Sequence, residues 1–164
     1  MKKRLILFFL VCASFSRCTW TPRTVLPDNF RVIYLNKFSN ETLQPELVDL
    51  FTVILSEKFE MDGRLTVTQH VSKANGVLFC TITKYKKMPI SYTYAGEVDT
   101  SAVTMGIKVQ LRDIKTGSWL HDNYLEETMQ FNLKSEPIET EIDVQKKLMD
   151  SLSNKIVSKV IEGW

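Results

Sequence analysis

Few residues in this chain could do chemistry: three cysteines, two histidines and a scatter of carboxylates. His70 and His121 sit on separate segments, and neither belongs to a metal-ligand spacing such as His-x-x-x-His. No serine occupies a Gly-x-Ser-x-Gly turn. The six glycines never cluster into a loop whose amides would cradle phosphates. Cys80 falls within an alternating run, which predicts a buried thiol and not a nucleophile. Glu126 and Glu127 are adjacent, but neighbouring strand residues point to opposite faces, so they cannot form an acid–base pair. Asp113 is read as an exposed turn carboxylate. The expectation is no catalysis, no metal and no cofactor.

Cys18 reads differently. Met1, Lys2, Lys3 and Arg4 form a cationic start, and Leu5 to Ala13 is a run of nine apolar residues. Nine residues are too few to cross a hydrocarbon core of about 30 Å, so residues 1–17 read as a signal peptide and not as an anchor helix. Phe15-Ser-Arg-Cys18 resembles a lipobox, with Arg17 where a small residue is usual. Cys18 is therefore the expected lipidation site, and Cys12 leaves with the signal. More than one acyl chain is needed for stable membrane anchoring, and a lipidated N-terminal cysteine supplies that. Residues 18–29 hold Pro22 and Pro27 and show no periodicity, so they read as a lipidated tether. Its eleven residues from Thr19 to Asn29 span at most about 36–40 Å. Residues 30–164 then form a single domain.

The formal charge of +2 belongs partly to the signal. Residues 1–17 hold four of the 21 basic residues and no acids, leaving 17 basic against 19 acidic side chains, a net of −2. A slightly acidic domain argues against nucleic-acid binding, which needs a basic surface to neutralise phosphates.

Two clusters could bind something else. Lys84, Lys86 and Lys87 stand beside Tyr85 and lead into a segment with Tyr92 and Tyr94. Ammonium groups next to rings suit an anionic, amphipathic ligand. Lys108 and Arg112 lie on the polar side of an alternating run and could meet a partner.

These residues need elements to hold them. Residues 31–36 form a β-rich run, and 38–42 read as a turn. Pro45 suits the first position of a helix. Leu47, Leu50, Phe51, Ile54, Leu55 and Phe59 follow at helical spacing, and Gly63 closes the helix. Short strands are expected at 65–70 and 77–85. The second should place Val77, Phe79, Thr81, Thr83 and Tyr85 on one face. Residues 86–100 read as a long loop. Residues 102–112 alternate cleanly, 113–117 form a hairpin turn, and 119–131 return with a bulge expected at 122–124. Pro137 opens a final helix with Ile142, Leu148, Met149, Leu152, Ile156, Val160 and Ile161 as its apolar stripe. The expected fold is an α+β two-layer sandwich, with two helices packed on one face of a four- to five-stranded mixed sheet.

Several runs, in this order, carry a resemblance. They are Cys18; Tyr34 to Thr42 (YLNKFSNET); Pro45 to Leu47; Asp62 to Val67; Ala74 to Leu78; Thr81 to Tyr85; and Val109 to Trp119 (VQLRDIKTGSW). Together they resemble the LPS-assembly lipoprotein family, LptE, over nearly the whole chain. The resemblance implies a lipoprotein on the periplasmic side of the outer membrane. It would plug a large β-barrel of the LptD kind, assist its assembly, and help pass lipopolysaccharide to the cell surface. Within that reading, the loop at 90–100 with Lys86 and Lys87 at its base would meet the lipid phosphates. A second reading is a periplasmic lipoprotein that binds a cell-wall synthase. The short tether favours work near the membrane, and hence the first.

Overall fold

The computed structural model describes residues 26–27, 29–134 and 139–162. The expected signal peptide, the lipidation site at Cys18, most of the tether and the helix start at Pro137 lie outside the described residues.

Among the described residues, six strands and two α-helices follow one another: β1 Val32–Leu35, β2 Ser39–Asn40, α1 Leu47–Asp62, β3 Thr66–Thr68, β4 Gly76–Tyr92, β5 Val98–Asp113, β6 Trp119–Asn132 and α2 Glu141–Glu162. The sheet order is β3-β1-β4-β5-β6, and β2 pairs with β4 beside β1. The β1, β2, β3 and β4 pairings are parallel, and the β4–β5–β6 meander is antiparallel. This is the expected α+β sheet with two helices.

α1 forms because Leu47, Phe51, Leu55 and Phe59 recur every four residues and bury one stripe. The helix begins two residues after Pro45. Gly63 ends it at φ 71°, donating its N–H to the Phe59 carbonyl at 3.1 Å. In α2 the buried stripe is Val144, Leu148, Met149, Leu152, Ile156, Val157, Val160 and Ile161. Ile142, expected in that stripe, is 58 % exposed. It precedes the turn that first reaches the sheet.

The helices run in the same direction. Lys58 pairs with Asp150, and Arg64 near the end of α1 pairs with Glu162 at the end of α2. Their stripes close over Ile33, Leu78, Ile82, Met105, Ile107 and Leu111, each fully buried. A fully buried residue of this size stabilises by about 1.5–3 kcal/mol relative to exposure.

Four expectations fail for identifiable reasons. The long loop at 86–100 is mostly strand: β4 runs on to Tyr92 and β5 resumes at Val98. Pro89 suggested a loop, but β1 and β2 pair with β4 only as far as Ile82, so proline sits on a free edge where its missing N–H breaks no ladder. The bulge in β6 lies at Leu120, where Leu111 faces His121 and Arg112 faces Trp119; residues 121–131 alternate without a break. Asp113 is buried, and its Oδ1 accepts the N–H groups of Lys115 and Thr116. The carboxylate builds the turn that Gly117 completes at φ 73°. Ser39–Asn40, read as turn, adds a two-residue strand against Thr81 and Ile82.

Candidate functional site

The alternation expected through β4 reverses once. Ile82 faces Ile107 and Lys84 faces Gly106, so Thr83 is an extra residue. Tyr85 and Lys87 thereby move to the helix-covered face, while Lys84 and Lys86 point to the uncovered one. The bulge splits the lysine cluster across the sheet.

On the uncovered face, Lys84 Nζ donates to Glu126 Oε1 at 2.8 Å. Tyr124 donates to the other oxygen of that carboxylate. Its ring lies across Gly106, where an added Cβ would fall 2.3 Å from the tyrosine oxygen. Glycine is required there for the ring to seat. Lys84 holds the Glu126 carboxyl below its ordinary range.

On the helix face, Lys87 Nζ donates to Glu141 Oε2 at 2.7 Å and lies 5.7 Å from the Phe131 ring centroid. Tyr85 donates to Glu141 Oε1 at 2.7 Å and accepts from Gln145 Nε2 at 2.8 Å. Burial pushes the Tyr85 hydroxyl up to about 12. Lys87 first, then Tyr85, holds the Glu141 carboxyl low. Lys86 has no ion-pair partner among the described residues.

A groove of about 550 Å³ opens at this junction, between the loop Glu41 to Gln44, the β4 run from Thr83 to Lys87, and Glu141. A second groove of about 460 Å³ shares Gln44 and Glu141 and continues over Leu47, Leu50 and Ile142. Leu43, 97 % exposed, stands on the rim. The lysine-bearing groove therefore adjoins one of mixed character, in which Leu47, Leu50 and Ile142 alternate with Gln44, Glu46, Glu141 and Gln145. Sequence reasoning located the lysines but not the opposite wall. The signal was present in Leu43, a bare leucine between Thr42 and Gln44 that no core periodicity claims.

The other expected residues lie elsewhere. Tyr92 is 60 % exposed, and Tyr94 is fully exposed in the turn at the tip of the β4–β5 hairpin. Lys108 faces Asp122 at 3.7 Å, and Arg112 donates to the Gly117 carbonyl at 3.0 Å while lying over Trp119. Arg112 pairs across from Val77 and Lys86 from Thr104. Eight steps of the ladder separate them, roughly 26 Å. The structure does not gather these residues into one site.

Chemically reactive groups stay isolated. Cys80 is buried and its thiol is pushed up by that burial. His70 is exposed, and His121 is buried under the end of α2. Among the described residues, no three His, Cys, Asp or Glu side chains converge to hold a metal, and no helix is long and apolar enough to cross a membrane.

A sheet with one bare face, two parallel helices on the other and a groove at one end define a small two-layer α+β domain. The chain belongs to the LptE family, described as lipopolysaccharide-assembly, whose model matches residues 30–160. No curated protein matches it. Solved structures share its fold at low identity. The hypothetical protein CT253 from Chlamydia trachomatis aligns with a TM-score of 0.61 at 13 % identity, covering 82 % of this chain and 96 % of that one. The uncharacterized lipoprotein B from Nitrosomonas europaea gives 0.55 at 16 %, covering 83 % and 84 %. The rare lipoprotein B from Shewanella oneidensis gives 0.50 at 11 %, covering 77 % and 92 %.

Proposed function

We propose that this chain is a lipoprotein, cut before Cys18 and anchored through it on the periplasmic side of the outer membrane. There it plugs a β-barrel lipopolysaccharide translocon of the LptD kind, assists its assembly, and helps deliver lipopolysaccharide to the surface. The observation that carries this reading is the family match across residues 30–160. Two features support it. The Lys87–Glu141 pair stands where the first groove meets the second, which Leu47, Leu50 and Ile142 line together with Gln44, Glu46 and Gln145, a mixture of charge and apolar surface suited to a phosphorylated acyl lipid. At the lower end of the sheet, Leu26 and Phe30 line a cleft with Arg64 and Ile161. β4 then carries its tip away over 17 residues, roughly 50 Å at a strand's rise. A tip that far from Leu26 and Phe30 fits a plug standing upright in a lumen.

The test is a mild-detergent pull-down from outer membranes through a C-terminal tag. A large β-barrel recovered in near-equal amount is the expected result. Recovery of a cell-wall synthase in its place would overturn the reading. For the lipid step, the Lys86→Glu, Lys87→Glu variant should weaken lipopolysaccharide binding by the purified complex. Unchanged binding would sink the assignment of that groove.

A further inference from the structure

Sheet edges present unpaired N–H and C=O groups, and folded proteins guard them with short strands, proline, bulges or lysine. The edges here are unequally guarded. β3 is three residues long. The outer side of β4 beyond Ile82 carries Pro89 and register shifts at Thr83 and Ile90. Past Leu120, β6 has no bulge, proline or lysine, and its charges are the acids Asp122, Glu126 and Glu127. From His121 to Phe131 it holds continuous register with β5 and contains no proline, glycine or lysine. Among the described residues, no strand other than β5 pairs with it.

The direction of its backbone groups is fixed. Leu133 donates its N–H to the Asp99 carbonyl at 3.0 Å, one rung past the Thr100–Asn132 pair. In an antiparallel ladder alternate residues face the partner, so the odd-numbered residues of β6 face β5. Asp122, Tyr124, Glu126, Thr128 and Gln130 turn their backbones outward. The side chains of these five are exposed on the uncovered face of the sheet. An incoming strand would meet Asp122 and Glu126 four residues apart, with Glu127 on the other face, and no basic residue within β6. The lysines that pair with these acids, Lys108, Lys84 and Lys155, reach them from β5, β4 and α2 behind the edge.

We propose that the outer edge of β6 is a strand-addition site for an extended segment of another protein, carrying Lys or Arg opposite Asp122 and Glu126. Main-chain bonds to the outward-facing residues supply affinity, and cross-strand charge selects the sequence. The inference stands apart from the lipid-transport reading, because it needs only the edge and its charge.

The probe is a peptide alternating valine and threonine, with lysines at two positions four residues apart on one side. A twin carries glutamates there. Amide exchange is followed by NMR on the full chain in detergent. The lysine peptide should slow exchange at Tyr124, Glu126, Thr128 and Gln130 by at least about tenfold, and the twin should not. Gln130→Pro removes an outward N–H and no β5 bond, so it should abolish that protection while Leu125 and Phe131 stay slow. If Leu125 loses protection in that variant, Glu126→Lys replaces it and should exchange preference from the lysine to the glutamate peptide. Four outcomes overturn the proposal: no response to the lysine peptide, equal response to both peptides, outward amides already slow in the free chain, or self-association that these variants abolish.

Discussion

The lower and upper halves of β4 are one strand in two environments. From Gly76 to Ile82 it is flanked by β1, β2 and β5 and roofed by both helices, so Leu78 and Ile82 are fully buried. From Lys84 to Tyr92 it has β5 on one side only, and Met88, Ile90 and Tyr92 are 41, 49 and 60 % exposed. The bulge at Thr83 is the border. Below it, inward side chains serve packing. Above it, the strand turns Lys84 and Lys86 to one face and Lys87 to the other and ends in a bare tip. The fold keeps its packed rungs and its exposed rungs on one continuous ladder.

Substitutions should divide along that border, and the base should show the largest effect. Phe51 in α1 is fully buried and meets the Phe38 ring at 5.4 Å between centroids. Phe51→Ala should cost about 3–5 kcal/mol in urea unfolding, since it removes transfer energy and leaves a cavity. A cost near that of a surface change would mean the base is not packed as described.

Gly76 comes next. A Cβ there would fall 2.3 Å from the Phe30 ring and 2.9 Å from the Arg112 carbonyl. One of these is backbone and cannot swing aside. Gly76→Ala should destabilise by about 1–3 kcal/mol through overpacking. A companion Phe30→Leu change should recover part of that loss, which denaturation of the double variant would measure.

Much of the base was legible in the sequence. The i, i+4 spacing from Leu47 to Phe59, Gly63 as helix end, and the clean alternation of 102–112 each report burial on one face, and burial is what periodicity encodes. The upper half was misread for the same reason. Residues 86–92 bury little, so their alternation carried no apolar contrast, and Pro89 looked like a loop where it marks a free edge. The bulge at Thr83 was invisible because Thr83 and Lys84 are both polar, and a slip of one residue there leaves the pattern unchanged. Half of the candidate site was therefore visible as lysines. The half made by Gln44, Leu47 and Glu141 depends on tertiary proximity, which spacing does not encode.

His121 beneath α2 and Glu141 at its first residue sharpen the comparison through pH. His121 is buried with its Nε2 unpartnered, and burial lowers its pKa despite a bond to the Val160 backbone. The unfolded chain then binds the proton more readily, so stability falls as pH drops below the ordinary histidine value of about 6.5. His121→Leu should flatten that limb of a stability–pH curve. Glu141 acts at lower pH. Its pKa is depressed by Lys87 and Tyr85, so its contribution is present above the ordinary glutamate range and lost as pH falls through the folded value. Tyr85→Phe removes one of its partners and leaves Gln145, 8 % exposed, short of an acceptor. The expected loss is about 1–2 kcal/mol. A curve for His121→Leu identical to that of the parent would show that the imidazole is hydrated and not sealed beneath α2.

The smallest effect belongs to the tip, and it tests the division most directly. Ile90→Ser and Tyr92→Ser change exposed side chains on a strand with one neighbour, so unfolding should shift by no more than about 0.5 kcal/mol. Exchange of the Thr93 amide, bonded to the Glu97 carbonyl at 2.8 Å, should stay at its parental rate, since the turn is held by backbone and by Gly96 at φ 83°. If these residues exist to meet a partner, the same pair of changes should weaken recovery of the barrel in the pull-down while leaving the melting curve in place. A loss of stability as large as that for Gly76→Ala would instead make the tip a buried part of the fold, and the border at Thr83 would lose its meaning.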